Sequence, residues 1–446
     1  MSNVKPQVLK GFRDYTPEMM RLRLDVIQRV RAVFERHGFE PIDTPTLEYL
    51  EILTGKAGEN EKLMYHFADH GEREVGMRYD LTVPLARYFA MHQQESVIPF
   101  KRYHIGPVWR AEKPQRGRFR EFWQCDADVV GTASMTADAE CVSIMVESLS
   151  AVNLSQAVVA INSRKLLEAM ARLAGVPETQ SPTVFRSIDK LGKLGPDGVR
   201  KDLVAQGIEE SSATTVINLA TRTGTSSELL DAAEKDLGPI EGGAVAVAEL
   251  RELVVAIEDL AIPENAWKID LSMARGIDYY TGPVFEALVE EPKIGSVGGA
   301  GRYDGLVGTF LGRAVPATGM SLGLERILEV INEFDLLPQH AATAQVFVAR
   351  FPDSSRENAQ IASDLRSVGI NTDLSLLANR GLGDQMKHAS RRGIPFAVIA
   401  GPDDVSAGTG RLRDLANGDE CTVPLDGLAE AVKMALATEN TTGALA

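Results

Sequence analysis

Between Phe100 and Gly131 the chain reads FKRYHIGPVWRAEKPQRGRFREFWQCDADVVG, two runs of strand-forming residues around a basic loop that also holds glycine and proline. This pattern predicts an antiparallel hairpin, and the period-two alternation of a strand sorts its side chains. Val108, Arg110 and Glu112 share a face of the first strand. Gln124, Asp126 and Asp128 share a face of the second, and Trp123, Cys125 and Ala127 point the other way. One wall of the sheet is therefore an arginine beside carboxylates and an amide, with an apolar back. A charged row inside a sheet is costly unless it is solvated, paired or covered by a ligand. The loop supplies Lys113, Arg116, Arg118 and Arg120, cations suited to phosphate. On these residues alone, a solvated hairpin with surface ion pairs is the plainer reading.

At 446 residues the chain is too long for one ordinary domain, so two or three are expected. No apolar run is long enough to span a bilayer, and the N-terminal MSNVKPQVLKGF has no apolar core of a secretory signal. Cys125, Cys141 and Cys421 lie far apart and form no CxxC pair, which argues against structural zinc and against a disulfide scaffold. The expected compartment is the cytoplasm. A net charge of −15 disfavours non-specific binding to DNA or RNA, because neutralising phosphates drives such affinity. It leaves room for an enzyme that meets RNA through local basic patches.

Thr16 followed by Pro17 predicts a helix start, and Leu24, Ile27, Val30 and Phe34 continue at helical spacing to a stop at His37-Gly38. FEPIDTPTLEYLE reads as an extended segment broken by prolines. From residue 165 to 259 the texture turns to Ala/Leu/Glu-rich helices without recognisable chemistry. Beyond residue 344, VFVARF, INTDL and PFAVIAG read as strands alternating with helices, which predicts a small α/β domain with a largely parallel sheet. HIGP (His104 to Pro107) and GSVGGAG lack the partner motifs that would make either a nucleotide-binding signature.

Five further segments are KGFRDYTP (10–17), RYDLTVPLARY (78–88), ARGIDYYTGPVFE (274–286), GRYDGL (301–306) and GMSLGLERI (319–327). In this order, with the hairpin, the chain resembles class II aminoacyl-tRNA synthetases of the histidyl-tRNA synthetase family nearly end to end. The resemblance implies an α+β catalytic domain (residues 1–164 and 260–335) built on an antiparallel sheet flanked by helices. It also implies a helical insertion at 165–259 that approaches the tRNA acceptor arm, and an anticodon-binding α/β domain at 344–440. The segment after the first helix corresponds to the family's dimer-forming motif, so a homodimer is expected.

The activity implied is histidine–tRNA ligase: histidine attacks the α-phosphate of ATP, and the histidyl group then passes to the 3′ end of tRNA(His). Such chemistry asks a protein mainly for positioning and for cations at the phosphate oxygens. By resemblance Arg110 and Arg275 flank the α-phosphate as the catalytic cations, Arg275 foremost, and Arg326 holds the terminal phosphate. Glu112 and Phe122 would meet adenine. Asp80 and Thr82, two apart on a strand, would accept from the α-ammonium, with Gln124 at the same polar end. Asp128 with Tyr279 and Tyr280 would hold the imidazole, whose two nitrogens need one donor and one acceptor. Gln115, Arg116 and Arg118 would lie near the acceptor end of the tRNA. ATP is expected to bring Mg²⁺ with it, and no protein-bound metal is expected. At Ala300, where the family has glycine, a methyl would either be harmless or tighten the histidine pocket.

A different class of function fits the same core. The ATP phosphoribosyltransferase regulatory subunit resembles the catalytic domain but has lost aminoacylation, and such paralogues typically lack the C-terminal domain. Retention of Arg110, Arg275, Arg326 and the C-terminal hundred residues favours the ligase.

Overall fold

The computed structural model describes residues 4–54, 58–274, 279–292, 294–337, 342–377 and 380–443. The strands up to residue 323 are β1 (Glu40–Pro41), β2 (Leu47–Tyr49), β3 (His66–Ala68), β4 (Glu74–Met77), β5 (Phe100–Trp109), β6 (Glu121–Val130), β7 (Val158–Ser163), β8 (Trp267–Ile269), β9 (Pro283–Leu288), β10 (Ser296–Arg302) and β11 (Ala317–Gly323). Eight of them form one sheet in the order β1-β5-β6-β11-β10-β9-β7-β8. Its middle is antiparallel, and a parallel strand closes each edge, β1 on β5 and β8 on β7. β2, β4 and β3 make a small antiparallel sheet of their own.

The hairpin expected from the alternation is β5–β6, in register from Phe100 opposite Val130 to Trp109 opposite Glu121. On its apolar side Cys125 and Ala127 are fully buried. The Pro17–Arg36 helix lies there, with the Arg23 guanidinium 5.0 Å from the Trp123 ring and 2.8 Å from Glu325. Thr16 does cap this helix through Met19 N–H, and Gly38 ends it at φ +73°. Its buried stripe is Val26, Val30, Val33 and Phe34, whereas Leu24, expected on that face, is exposed. The Met135–Ala151 helix covers the same side of β9, β10 and β11.

Between Arg164 and Asp259 the chain is helical, from Arg164–Leu173 to Gly243–Asp259. Here Thr225 and Glu228 form a reciprocal capping box on the Ser226–Leu237 helix. Lys165 pairs with Glu249 to tie the first of these helices to the last.

The C-terminal unit has its own sheet of β12 (Val346–Val348), β13 (Thr372–Leu374), β14 (Phe396–Ile399), β15 (Thr409–Asp414) and β16 (Glu420–Pro424), in the order β13-β12-β14-β15-β16. The three strands expected from the sequence are parallel to one another. The antiparallel β15–β16 pair makes the sheet mixed, a feature the uneven alternation of TGRLRDLANGDECTVP left unannounced. Its core packs Ile361, Leu365, Val398 and Val432.

Candidate active site

Cross-strand register builds the floor of the site. Residues directly opposite one another in an antiparallel pair project to the same side. One row therefore runs Val284, Gly301, Gly319, Asp128 and Arg102, and the next runs Glu286, Gly299, Ser321, Asp126 and His104. Above this floor lies a cavity of about 430 Å³, within the usual range for a small-molecule site. Its lining includes Asp80, Thr82, Arg110, Glu112, Arg118, Phe122, Gln124, Asp128, Tyr279, Tyr280 and Arg326. Segments more than two hundred residues apart in sequence thus line one cavity.

One end is carboxylate- and phenol-rich. The Tyr303 hydroxyl donates to Asp128 Oδ1, and Arg102 Nη2 sits 2.7 Å from Asp128 Oδ2. Both partners are buried. Burial raises the Asp128 carboxyl above the usual carboxylate range, and the Arg102 charge and the Tyr303 hydrogen bond pull it back. A Cβ at Gly319 would coincide with the Asp128 carboxylate, so only glycine leaves it room. Gly301 is similarly constrained: a Cβ there would lie 2.8 Å from the Tyr280 ring. Tyr279 packs edge-on against Tyr280 and Tyr303, with ring centroids 5.1 Å and 5.8 Å apart.

Asp80 and Thr82 do not lie on a strand. Asp80 ends a loop, and Thr82 is the first residue of the Thr82–His92 helix. Asp80 Oδ1 accepts from Val83 N–H at 3.1 Å and so serves as a side-chain cap, while Pro84 sits in the first turn, where its missing N–H costs nothing. Oδ2 of Asp80 is buried without a hydrogen-bond partner among the described residues. Burial pushes the Asp80 carboxyl up to about 6, against the pull of the Val83 N–H and of Arg110 and Arg102. Gln124, on β6, donates from Nε2 to Ser321 Oγ at 2.6 Å, and its Oε1 is likewise buried and unpartnered.

The other end is cationic. Arg110 lies one residue past β5, donates from Nε to the Tyr79 carbonyl at 2.9 Å, and stands 5.1 Å above the Phe122 ring. Arg326, in the first turn of the Leu324–Phe334 helix, donates from Nη1 to the Ser296 carbonyl at 2.5 Å. Its neighbour Glu325 forms no surface ion pair. It is buried, 2.8 Å from Arg23, and accepts from Trp123 N–H at 2.9 Å. The carboxylate of Glu112 is 3.2 Å from Arg118.

The loop between β5 and β6 turns through Gly117, with Gln115 and Arg118 exchanging backbone hydrogen bonds. Gln115 and Arg116 do not line the cavity. Arg116 instead reaches Glu329 at 3.3 Å and Glu333 at 2.5 Å on the 324–334 helix. Arg275 lies outside the described residues. Ala300 pairs with Phe285 and Met320, and Met320 with Ala127, so its methyl belongs to the apolar side rather than to the Asp128 row.

Several lining or supporting residues were not singled out from sequence. Tyr303 stood in the GRYDGL motif without a role. Arg102 and Ser321 would have followed from extending the alternation one strand further each way. Glu286, on β9, and Asp189, between the helices of residues 164–259, carried no such signal.

The histidyl-tRNA synthetase family profile matches residues 11–327, and an anticodon-binding domain profile matches residues 345–434. A histidine–tRNA ligase from Rhodopirellula baltica is 40% identical over 97% of this chain and 99% of its own length. One from Aeropyrum pernix is 41% identical over 98% of this chain and 100% of its own. The crystal structure of histidyl-tRNA synthetase from Nostoc sp. PCC 7120 superposes with a TM-score of 0.87, at 33% identity, covering 97% of this chain and 100% of that one. Fold, cavity and these matches together define an ATP-dependent aminoacyl-tRNA ligase. The chain belongs to the histidyl-tRNA synthetase family, and its reaction joins histidine to tRNA. Relatives that match through the C-terminal domain speak against the regulatory paralogue.

Proposed function

We propose that this cavity carries out class II adenylate chemistry, with histidine at the Asp128–Tyr279–Tyr280 end and ATP at the Arg110–Arg326 end. The observation that carries the assignment is the pair of buried acceptors without partners, Asp80 Oδ2 and Gln124 Oε1. Leaving such atoms unpaired costs about 1–3 kcal/mol each, and an α-ammonium supplies the missing donors. Asp80 is ionised near neutral pH and complements that charge. Asp128, pinned by Tyr303 and Arg102, accepts from one imidazole nitrogen while a phenol meets the other.

The histidine carboxylate then faces the α-phosphate, and an attacking oxygen displaces pyrophosphate. Arg110 and Arg275 neutralise charge on the α-phosphate, Arg326 holds the terminal phosphate, and Phe122 and Glu112 receive adenine. Mg²⁺ enters as the counter-ion of ATP. Preorganised cations of this kind contribute on the order of 3 kcal/mol each to the barrier in a water-poor site. In the second step the 3′-terminal hydroxyl of tRNA(His) attacks the histidyl carbonyl of the adenylate, the acyl–phosphate bond breaks and AMP leaves, with Gln115, Arg116 and Arg118 guiding the acceptor end. The helices of residues 165–259 and the anticodon-binding domain at 344–440 hold the rest of the tRNA, and the catalytic domain comprises 1–164 and 260–335.

A homodimer is supported by the exposed apolar side chains Leu47, Tyr49, Phe67, Met91, Val97 and Ile98 on the segments around the first motif. A cytoplasmic setting is supported by the three free cysteines and by the substrates. Histidine-dependent exchange of pyrophosphate into ATP without tRNA tests the assignment. Exchange with histidine alone among the amino acids is expected, and its absence in folded protein would overturn the reading.

A further inference from the structure

The chemistry above leaves the KGFRDYTP segment without a role, yet residues 9–13 lie against the loop between β5 and β6. That loop, residues 110–120, runs outside the strand ladder, so ordering it costs backbone entropy that contacts must offset. Several of those contacts come from the N-terminal segment. The Gly11 carbonyl accepts from Arg120 N–H at 2.9 Å, and the Lys10 carbonyl from Arg120 Nη1 at 3.2 Å. Gly11 does this at φ +87°, and a Cβ there would lie 2.8 Å from the Arg120 side chain and 2.9 Å from Pro114. The Arg13 guanidinium stands 4.0 Å from the centre of the Phe119 ring. It is also 3.9 Å from Glu329, an anion that Arg116 of the loop shares. Phe12 packs edge-on against Tyr65 with ring centroids 6.2 Å apart, which fastens the segment to the chain just before β3. The same loop faces the cavity. Gly117, Arg118 and Phe119 line it, and a Cβ at Gly117 would lie 3.4 Å from the Arg326 side chain.

We propose that residues 9–13 form a strap that holds the β5–β6 loop at the cationic end of the cavity, with Gly11 and Arg13 as positioning residues for Arg118 and Phe119. The inference rests on the placement of ATP given above. Gly11 sets the strap close enough for its carbonyls to reach Arg120, and Arg13 seats the Phe119 ring. Neither residue need touch the nucleotide. With the strap loosened, the loop must be ordered when ATP binds, and the apparent affinity falls by the fraction of chains whose loop is already in place. The Asp128 end of the cavity receives nothing from the loop, so histidine binding is untouched.

Pyrophosphate exchange by the full chain, at varied ATP and at varied histidine, separates the outcomes. In Arg13→Ala the KM for ATP should rise roughly three- to thirtyfold, the range of a cation–ring contact. The KM for histidine should stay within about twofold. Arg13→Lys, which keeps a cation for the Phe119 ring, should recover part of the loss. Gly11→Ala leaves Arg13 in place and disturbs the loop through Arg120 and Pro114, so it should show the same split between the two substrates. It also keeps the strap testable should Arg13→Ala fail to fold. In protein with a normal thermal transition, a rise in both KM values together, or in neither, would overturn the strap. If the unaltered protein catalyses no exchange, the placement of ATP falls first, a result distinct from any change confined to the variants.

Discussion

Gly319→Ala isolates the Asp128 end of the cavity. The added methyl would occupy the position of Asp128 Oδ1 and lie 3.1 Å from the Ala127 carbonyl, so the carboxylate must swing away. It cannot then keep both the Tyr303 hydroxyl and Arg102, and Arg102 is fully buried. Overpacking costs roughly 1–3 kcal/mol, and an uncompensated buried guanidinium brings the total to about 3–5 kcal/mol of stability. The catalytic effect is separable. Losing a hydrogen bond between a charged carboxylate and the imidazole is worth about 1.5–3 kcal/mol, or roughly a ten- to hundredfold fall in kcat/KM for histidine. Pyrophosphate exchange at varied histidine and varied ATP, on protein shown to be folded by its thermal transition, reads both. The KM for ATP should remain within about twofold, because Arg110 and Arg326 lie on the other side of the cavity. Unchanged histidine kinetics in the folded variant would refute the placement of the imidazole at Asp128. Ala300→Gly is the matched control: its methyl is on the apolar side, so only the strand cost of glycine, about 0.5–1 kcal/mol, is expected, with histidine kinetics unchanged.

Glu325→Gln should destabilise the chain by about 3–5 kcal/mol in urea unfolding, because it strips Arg23 of a buried charge partner while leaving an acceptor for Trp123 N–H. Burial, with Asp128 beside it, pushes the Asp126 carboxyl up to about 8 from its ordinary 3.8. A folded-state value above the unfolded one means a contribution that is fully present below pH 3.8 and lost as pH rises through about 8. Stability of the unaltered protein relative to Asp126→Asn should therefore fall by about 1.4 kcal/mol per pH unit within that window, and a pH-independent difference between the two would contradict it. Arg116 pairs with Glu329 and Glu333 on the surface, so Arg116→Ala should leave the thermal transition nearly unchanged. Its charging of tRNA should drop more than its pyrophosphate exchange, and equal loss in both half-reactions would remove Arg116 from the acceptor end.

The hairpin was legible because alternation is a local rule, and a run as regular as EFWQCDADVV has only one way to bury its apolar face. The same rule failed at Asp80 and Thr82. LTVPLARYFAMH opens on β-branched Thr82 and Val83 and carries Tyr88 and Phe89 further on, yet a helix wins because Asp80 caps it and Pro84 fits only a first turn or an edge. Leu24 misled for a related reason: spacing names a stripe but not which side the tertiary partners occupy. The partner here is Trp123 on β6, which draws in the arginine next to Leu24. β16 was hidden by its exposure, since a strand that buries little shows little alternation.

The chemistry of the site divides along the same line between local and long-range information. Residues that line the cavity were readable because arginine, aspartate and tyrosine in short motifs announce their chemistry by their type. Arg102, Tyr303 and Ser321 were not, because their importance exists only across strands: each acts on a side chain contributed by β6. Ala300 shows the converse. In sequence it stands among glycines that line a cavity, and a methyl there looks like an obstruction. The pleat sets it on the opposite side from Gly299 and Gly301, against Phe285 and Met320, where a methyl adds to the apolar layer. A departure from a motif is therefore interpretable only after its register is known, and in this sheet one position of slip would exchange the catalytic face for the core.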